Sequence, residues 1–585
     1  MSNDNGLLPA AAGKKALADI LLSCRSMFVG VACFSVLINV LMLTGSMFML
    51  EVYDRALPSR SVPTLVGLLA IVCLMYLFLG ALEVIRGRML TRTAVVVDTR
   101  LSGDAYDVLL RLPLVAGRRG QGMQPIRDVD AVRGFLSGQG PTVFFDLPWV
   151  PFYLGICFLF HFWLGVAALG GVLVLAVLTV ATEMLTRAPS ARTLASAGER
   201  NALADRDRRN AETAHALGMT GRLKSAWEGA NRSYMLANLR ASDLAGMLAT
   251  SSKMFRMLLQ SVVLAVGALL VIRGEASAGI IIAASIISGR ALAPIDLAIA
   301  NWKGFVAARQ AWKRLSTLTA RLPPARAPMQ LPAPSDSVSV EAVSVVPPGE
   351  TRIVVQDVTF ALQRGSALGV IGPSASGKSS LARALVGVWQ MARGRLQLDG
   401  SDISQWSAGD LGRSIGYLPQ DAELMSGTVA DNIARFDPDA TPDAVIAAAK
   451  AAGAHDMIIG FKDGFDTPVG EQGSSLSAGQ RQRVALTRAL YGDPFLVVLD
   501  EPNSNLDTDG DAALVRAIEA AKARGAVVIV IAHRTSVLAA VDHVLAMNNG
   551  RQVAFGPRDE ILKKLIRKDP AGPGPLTVVP QGAGA

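Results

Sequence analysis

Between positions 147 and 182 the chain carries no Asp, Glu, Lys or Arg, and His161 is the sole basic group. A helix of that length would run about 54 Å, whereas the hydrocarbon core of a bilayer is only about 30 Å thick. The run therefore predicts two spans folded back at a tight His161-Phe162-Trp163 tip. Two further runs, 27–50 and 65–82, hold no ionisable groups beyond Cys33, Cys73 and Tyr76. Runs 257–272 and 276–299 make a third hairpin joined at Arg273-Gly-Glu275, its second member interrupted by Arg290, Pro294 and Asp296. Six spans are expected. Composition agrees: 51% of residues are apolar and only 18% charged, where soluble domains carry about 25%. That balance excludes a disordered chain and argues against an ordinary cytosolic enzyme.

The basic residues set the orientation. Arg86, Arg88, Arg92, Arg100, Arg111, Arg118, Arg119, Arg127 and Arg133 lie between spans two and three, and a second group from Arg187 to Lys224 follows span four. The opposite connections carry little: Arg55 and Arg60, His161, and Arg273. Positive charge marks the cytoplasmic side, so the N-terminus, both long connections and everything after span six are predicted to be cytoplasmic. The net charge of +9 is thus explained by topology, and no nucleic-acid partner is expected. The run 27–50 is too long for a signal-peptide core and lacks a small-residue cleavage site after it. Cys24, Cys33, Cys73 and Cys157 lie in or beside apolar runs without metal or disulfide spacing, and read as packing residues. The connections 83–146 and 183–256 read as helical extensions of the membrane helices into the cytoplasm; the alternative is two independent soluble insertions.

The expected domains are a cytoplasmic segment 1–23, a transmembrane domain 24–320, a Pro-rich linker 321–338, a domain 339–566 to which the motifs below assign nucleotide binding, and a disordered tail 567–585. Pro323, Pro324, Pro328, Pro332 and Pro334 resist regular structure in the linker. Beyond it, short β-rich runs alternate with helices, which predicts a parallel sheet.

That second half carries the chemistry. Gly372, Pro373, Ser374, Ala375, Ser376, Gly377, Lys378 and Ser379 match G-x-x-x-x-G-K-[ST] after an apolar strand, with a helix expected from Ser380 to Trp389. Glycines let successive backbone N–H groups curl round a phosphate at a helix start. Lys378 can reach the β/γ oxygens and Ser379 can offer a hydroxyl to Mg²⁺. Phe495-Leu-Val-Val-Leu499 reads as a buried strand ending in Asp500 and Glu501; Asp500 suits a second Mg²⁺ anchor, and Glu501 can orient or deprotonate the attacking water. Ser477, Ala478, Gly479 and Gln480 precede another helix and repeat the cradle logic. One phosphate cannot easily use two such cradles of one chain, so this segment either caps ATP held by a second copy or is a simple N-cap by Ser477.

The order P-loop, Gln420 in Gly416-Tyr-Leu-Pro-Gln420, Leu476–Gln480, Asp500-Glu501, Asn505-Leu-Asp507 and His533 resembles an ABC transporter ATPase. With six preceding spans the chain resembles an exporter half-transporter: a six-helix α-helical transmembrane domain followed by an α/β P-loop ATPase domain. The resemblance implies a homodimer with two ATPs sandwiched head-to-tail. Gln420 then senses Mg²⁺ and the membrane domain, His533 contacts the γ-phosphate, Asp507 links the two sites, and Gly470-Glu471-Gln472-Gly473 is the loop that touches the helix extensions. ATP-binding positions extend from Gly372 through Ser380 and include Gln420; Ser379, Gln420 and Asp500 are the Mg²⁺ set; Ser477, Ala478, Gly479, Gln480 and Asp507 act in trans. Two departures stand out: Ala478 replaces the more usual Gly, and Val345-Val-Pro-Pro-Gly349 lacks the aromatic ring that often stacks on adenine.

Val52-Tyr-Asp-Arg55-Ala-Leu-Pro-Ser-Arg60-Ser, Asp146-Leu-Pro-Trp-Val-Pro151, Gly289-Arg290-Ala-Leu-Ala-Pro294 and Glu501-Pro-Asn-Ser-Asn-Leu-Asp507 are similar to type I secretion ABC transporters, in the branch exporting proteases and other proteins with C-terminal signals. This implies an inner-membrane protein surrounded by lipid, working with a periplasmic membrane fusion protein, an outer-membrane channel and an unfolded protein substrate. About 23 residues precede span one, too few for a leader-cleaving peptidase domain. Arg290 and Asp296 fall inside the sixth span, where an unpaired charge is costly; they line a translocation path, form an inter-helix ion pair or snorkel from the end of the span. An exporter of lipids or small amphiphiles, and a regulatory ATPase that transports nothing, are the alternatives of function.

Overall fold

The computed structural model describes residues 19–20, 22–117, 122–321, 331–532 and 534–567. The chain divides into two compact units: Met1–Leu109 with Met123–Pro323, and Leu110–Gly122 with Pro324–Ala585.

Among the described residues six helical stretches are long and apolar enough to cross a membrane: Arg25–Ser59, Val62–Ala116, Gln124–Phe160, Phe162–Arg209, Thr220–Ile272 and Ala278–Ala320. Just 6% of the most apolar window of the second is buried within the chain, as a lipid-facing stripe requires. Helices Val62–Ala116 and Thr220–Ile272 run 55 and 53 residues, about 80 Å each at 1.5 Å per residue. Both outrun the bilayer by a wide margin, so each carries a membrane helix on into its long connection; the second connection is divided among helices Phe162–Arg209, Ala211–Ala216 and Thr220–Ile272. The third and fourth spans separate at His161, whose extended backbone (φ −166°, ψ 140°) breaks the helix while its Nδ1 accepts the Trp163 N–H at 3.3 Å.

The sixth span departs from its expected interruption. Helix Ala278–Arg321 runs unbroken through Arg290, Pro294 and Asp296. Proline removes one backbone donor, a loss that neighbouring helices in a membrane bundle can absorb. The start of this helix is fixed from the first span: Asp54, in a π-helical turn Val52–Ala56, accepts Ser277 Oγ at 2.7 Å and Gly279 N at 3.0 Å. A carboxylate there meets unsatisfied N–H groups and the positive end of the helix dipole.

Asp146 ends the short helix Thr142–Asp146 at the elbow into the third span and is buried. It accepts Arg86 Nη1 at 3.0 Å and Asn39 Nδ2 at 2.9 Å. Tyr153 Oη donates to the Asn39 carbonyl at 2.8 Å, and Arg86 also reaches Ser35 Oγ at 3.2 Å. Three spans are thereby pinned by one buried polar network.

In the second unit ten strands form one sheet: β1 (Ser337–Val345), β2 (Val355–Gln363), β3 (Ala367–Ile371), β4 (Met391–Leu398), β5 (Ser401–Asp402), β6 (Ile415–Leu418), β7 (Leu496–Asp500), β8 (Val527–Ile531), β9 (His543–Asn548) and β10 (Arg551–Pro557). Their order is β5-β4-β1-β2-β10-β9-β3-β8-β7-β6. Strands β6, β7, β8, β3 and β9 are parallel neighbours, and β3, β7 and β8 are buried along their whole length. Sequences such as Leu-Val-Val-Leu and Val-Val-Ile-Val-Ile follow from that, because a parallel strand is covered on both faces. The two faces pack separate apolar clusters, one around Val484, Leu499, Leu514 and Val530, the other around Val370, Leu381, Val498 and Ile529.

Replacing Asp146 by Ala would strand the largely buried Arg86 cation. The expected loss is about 3 kcal/mol, read as a lower melting temperature of the detergent-solubilised protein; an Arg86→Met/Asp146→Leu double variant should recover part of it.

Candidate functional site

In an open α/β sheet, ligands meet the carboxyl ends of the strands. Register places four of those ends together here, those of β6, β7, β8 and β3: Leu418 pairs with Leu499, Asp500 with Ile531, and Val370 with Ile531. The P-loop leaves β3, the Gln420 segment leaves β6, and Asp500-Glu501 closes β7.

Backbone conformation makes the P-loop. Gly372 has φ +154° and Gly377 φ +92°; a Cβ on Gly372 would sit 2.2 Å from the Met547 carbonyl oxygen, and one on Gly377 2.7 Å from that of Val354. Ala375 is left-handed too, with φ +63°. The helix after the loop covers Lys378–Leu385, shorter than the sequence suggests, because the chain turns through Gly387 at φ +73°. Lys378 Nζ donates to the carbonyls of Gly372 and Pro373 at 2.8 and 2.9 Å, across the mouth of the loop. Burial holds its pKa below the usual lysine value, opposed by the charges of Glu501 and Asp500.

The acids are next to it. Ser379 Oγ donates to Asp500 Oδ1 at 3.1 Å, while Asp500 Oδ2 is buried with no hydrogen-bond partner among the described residues. Burial raises the Asp500 pKa, against the lowering effect of the Ser379 hydrogen bond. Gln420 Nε2 donates to Glu501 Oε2 at 3.1 Å. Glu501 has φ +52°, a conformation that costs an ordinary residue about 1 kcal/mol or more and turns the chain sharply off the strand. Asp500 and Glu501 are successive residues with separate surroundings, one enclosed and one open to the loop of Gln420.

Ser477 is the N-cap of helix Ala478–Leu490, which begins earlier than the sequence suggests. Its Oγ accepts the Gln480 N–H at 3.3 Å and Gln480 Oε1 accepts the Ser477 N–H at 2.8 Å. The capping box satisfies two N–H groups and leaves Ser477 and Ala478 exposed. Asp507 caps helix Thr508–Ala523 through Gly510 N at 2.9 Å and pairs with Arg483, which together hold its carboxyl below the usual range. His533 lies outside the described residues; its neighbour Arg534 pairs with Asp511 at 3.0 Å. Gly470–Gly473 forms a tight turn, with Gln472 left-handed between two left-handed glycines.

Sequence reasoning missed Gln482. Its amide is buried, donates to the carbonyls of Glu501 (3.2 Å) and Pro502, and accepts the Asn505 N–H at 3.1 Å. One side chain thus fixes the loop after Glu501 against the helix that starts at Ser477. A polar residue on the apolar face of that helix was its sequence signal. In the membrane unit Asp296 pairs with Arg256 of the fifth span at 2.9 Å. Arg290 instead lines a cavity of about 380 Å³ with Asn39, Arg86, Asp146 and Tyr153.

This arrangement, a phosphate cradle with an orphaned carboxylate oxygen and a poised glutamate, matches the comparisons with known proteins. Residues 355–504 match the ABC transporter family and residues 28–292 the ABC transporter transmembrane region. The chain is 54% identical over 550 residues to the type I secretion system ATP-binding protein PrsD of Rhizobium meliloti, covering 94% of each. It is 30% identical over 541 residues to the cyclolysin secretion/processing ATP-binding protein CyaB of Bordetella pertussis, covering 91% of this chain and 75% of that one. A bacterial Atm1-family ABC exporter solved with ATP bound shares the fold, with a TM-score of 0.80, 22% identity, and 94% and 99% of the two chains covered. The chain belongs to the ABC transporters, in their type I secretion branch. It is a multi-pass inner-membrane ATP hydrolase coupled to protein export, with its ATPase domain in the cytoplasm.

Because burial raises its pKa, the fold favours protonated Asp500; that preference stabilises at acid pH and disappears as pH rises through the raised value. Asp500→Asn should therefore raise the melting temperature measured without nucleotide at neutral pH, with the gain shrinking on acidification, while abolishing ATP hydrolysis. A variant less stable than the parent at neutral pH would contradict the assigned burial cost.

Proposed function

We propose that this protein works as a homodimer in which each ATP is held by the P-loop of one chain and capped by Ser477, Ala478, Gly479 and Gln480 of the other. Supporting this reading, the exposed Ser477 end of its helix offers N–H groups and a dipole to an anion, while the chain's own P-loop helix is a separate phosphate cradle. Gly372 to Ser380 wrap the phosphates, and Lys378 exchanges its two carbonyl partners for β/γ oxygens, which are stronger acceptors. Glu501, bonded to Gln420 and set off the strand by its left-handed turn, orients the attacking water and takes its proton. His533 contacts the γ-phosphate, and Asp507 links the two sites through the start of its helix.

A hard divalent ion suits the oxygen donors present. The unpartnered Asp500 Oδ2, the Ser379 hydroxyl and the Gln420 amide oxygen would hold Mg²⁺, which neutralises phosphate charge when bound. Each other role belongs to the chain itself: cradling, orienting, and moving one proton to Glu501.

The cargo is an unfolded polypeptide with a C-terminal signal, passed to a periplasmic membrane fusion protein and an outer-membrane channel. PrsD is a secretion ATP-binding protein and CyaB a cyclolysin secretion protein, and the share of their lengths matched here supports a common cargo class. Arg290 faces the cavity beside the Arg86–Asp146 pair and contributes to the path of the polypeptide; Asp296 orders the neighbouring span through Arg256.

The observation that carries the ATPase reading is the cluster of Ser379, Asp500, Gln420 and Glu501 at one edge of the sheet. Glu501→Gln should keep ATP binding, trap a closed dimer and lower turnover by about 100- to 10,000-fold; robust steady-state hydrolysis would reassign the base. Arg290→Ala should reduce export more than basal hydrolysis, measured as secreted protein against phosphate release at matched protein levels. Equal export by that variant would remove Arg290 from the path.

A further inference from the structure

Arg435 belongs to none of the motifs above. It lies two residues past the short helix Val429–Ile433, and its guanidinium is spent on backbone carbonyls. Nε donates to Arg488 O at 3.0 Å and Nη2 to Ala489 O at 3.2 Å; Nη1 donates to Gly412 O at 2.6 Å and to Ile415 O at 3.2 Å. The first two carbonyls are in the last turn of the helix that Ser477 starts. The other two stand at the entry to β6, the strand that leads to Gln420.

Those helix carbonyls have no partner within the helix and form the negative end of its dipole. A planar fork of donors can satisfy both and still reach the strand, which a lysine cannot do. The strand comes very close: a Cβ on Gly416 would lie 2.0 Å from the Ala489 carbonyl oxygen. Arg488 adds a second tie, donating to the Glu423 carbonyl at 3.1 Å, three residues after Gln420. Burial foremost, and the charge of Arg488 after it, hold Arg435 below the usual arginine pKa. The backbone is constrained as well: Arg435 and Phe436 are successive left-handed residues, at φ +57° and +58°. Such conformations persist where the surroundings dictate them and gather at functional sites.

We propose that Arg435 is a positioning residue for ATP hydrolysis, tying the helix that presents Ser477 to the strand that presents Gln420 so that both phosphate-facing segments move as one body. The same helix also holds the loop after Glu501 through Gln482. Tension at its C-terminal end is therefore felt at the water-orienting carboxylate as well as at the cap offered to the other chain. The inference rests on the roles given to Gln420 and Ser477 above.

The test uses full-length protein in detergent, with Arg435→Met, Arg435→Lys and Gly416→Ala. ATP turnover, KM and melting temperature are measured, and occluded ATP is counted in the Glu501→Gln background as nucleotide that survives rapid desalting. Arg435→Met should lower kcat at least about tenfold with KM within about twofold, and should empty the occluded pool. Arg435→Lys should restore part of kcat, and Gly416→Ala, pushing the junction apart from the strand side, should repeat the kcat defect. Unchanged kcat in Arg435→Met would overturn the proposal. So would a parallel fall of kcat, ATP affinity and melting temperature in both arginine variants, which marks a purely structural residue. Ser477→Ala and Gln420→Ala run alongside: if they leave hydrolysis intact, the parent assignments fail, whereas if they abolish it and Arg435→Met does not, the coupling alone fails.

Discussion

The parallel register of β6, β7, β8 and β3 is the constraint from which the ATP site follows. Each of these strands is short and mostly buried, and each ends at the same edge. Because their ends coincide, residues far apart in sequence, Ser379 and Asp500 or Gln420 and Glu501, come within hydrogen-bonding distance. A slip of one residue in β7 would send Asp500 and Glu501 to opposite faces from those they occupy. The burial that fixes the register therefore also sets the electrostatics, since enclosing Asp500 raises its pKa and leaves one oxygen without a hydrogen-bond partner among the described residues.

Much of this was legible beforehand, for identifiable reasons. Membrane spans are encoded by length and lack of charge, so the six helices and the turn at His161 could be read without knowledge of packing. The P-loop and the buried strand before Asp500 were readable because glycine at left-handed positions and unbroken apolar runs have few other uses. What stayed hidden was tertiary. Sequence showed Asp146 only at the head of the Asp146–Pro151 string and not in a network with Asn39, Arg86 and Tyr153, because those partners sit on three different spans. Pro294 suggested an interruption that the surrounding bundle overrides. Gln482 looked like one more polar helix residue until its amide was seen to hold three backbone groups near Glu501.

The two units solve the problem of buried polarity differently. In the membrane unit charges are paired across helices, Arg86 with Asp146 and Arg256 with Asp296. In the ATPase unit Arg435 has backbone carbonyls around it, and Asp500 carries an oxygen with no partner among the described residues. The first solution stiffens a scaffold. The second leaves hydrogen-bonding capacity unused beside the P-loop.

Helices Val62–Ala116 and Thr220–Ile272 cross the bilayer and continue past it without a joint. A rod of that kind stores little deformation in its middle, so a tilt imposed at one end is delivered at the other as a displacement that grows with distance from the pivot. Transmission through such a lever requires no chain of side-chain rearrangements along the way. It also means that a hinge introduced partway, by a pair of glycines for example, would uncouple the two ends while every local contact stayed intact.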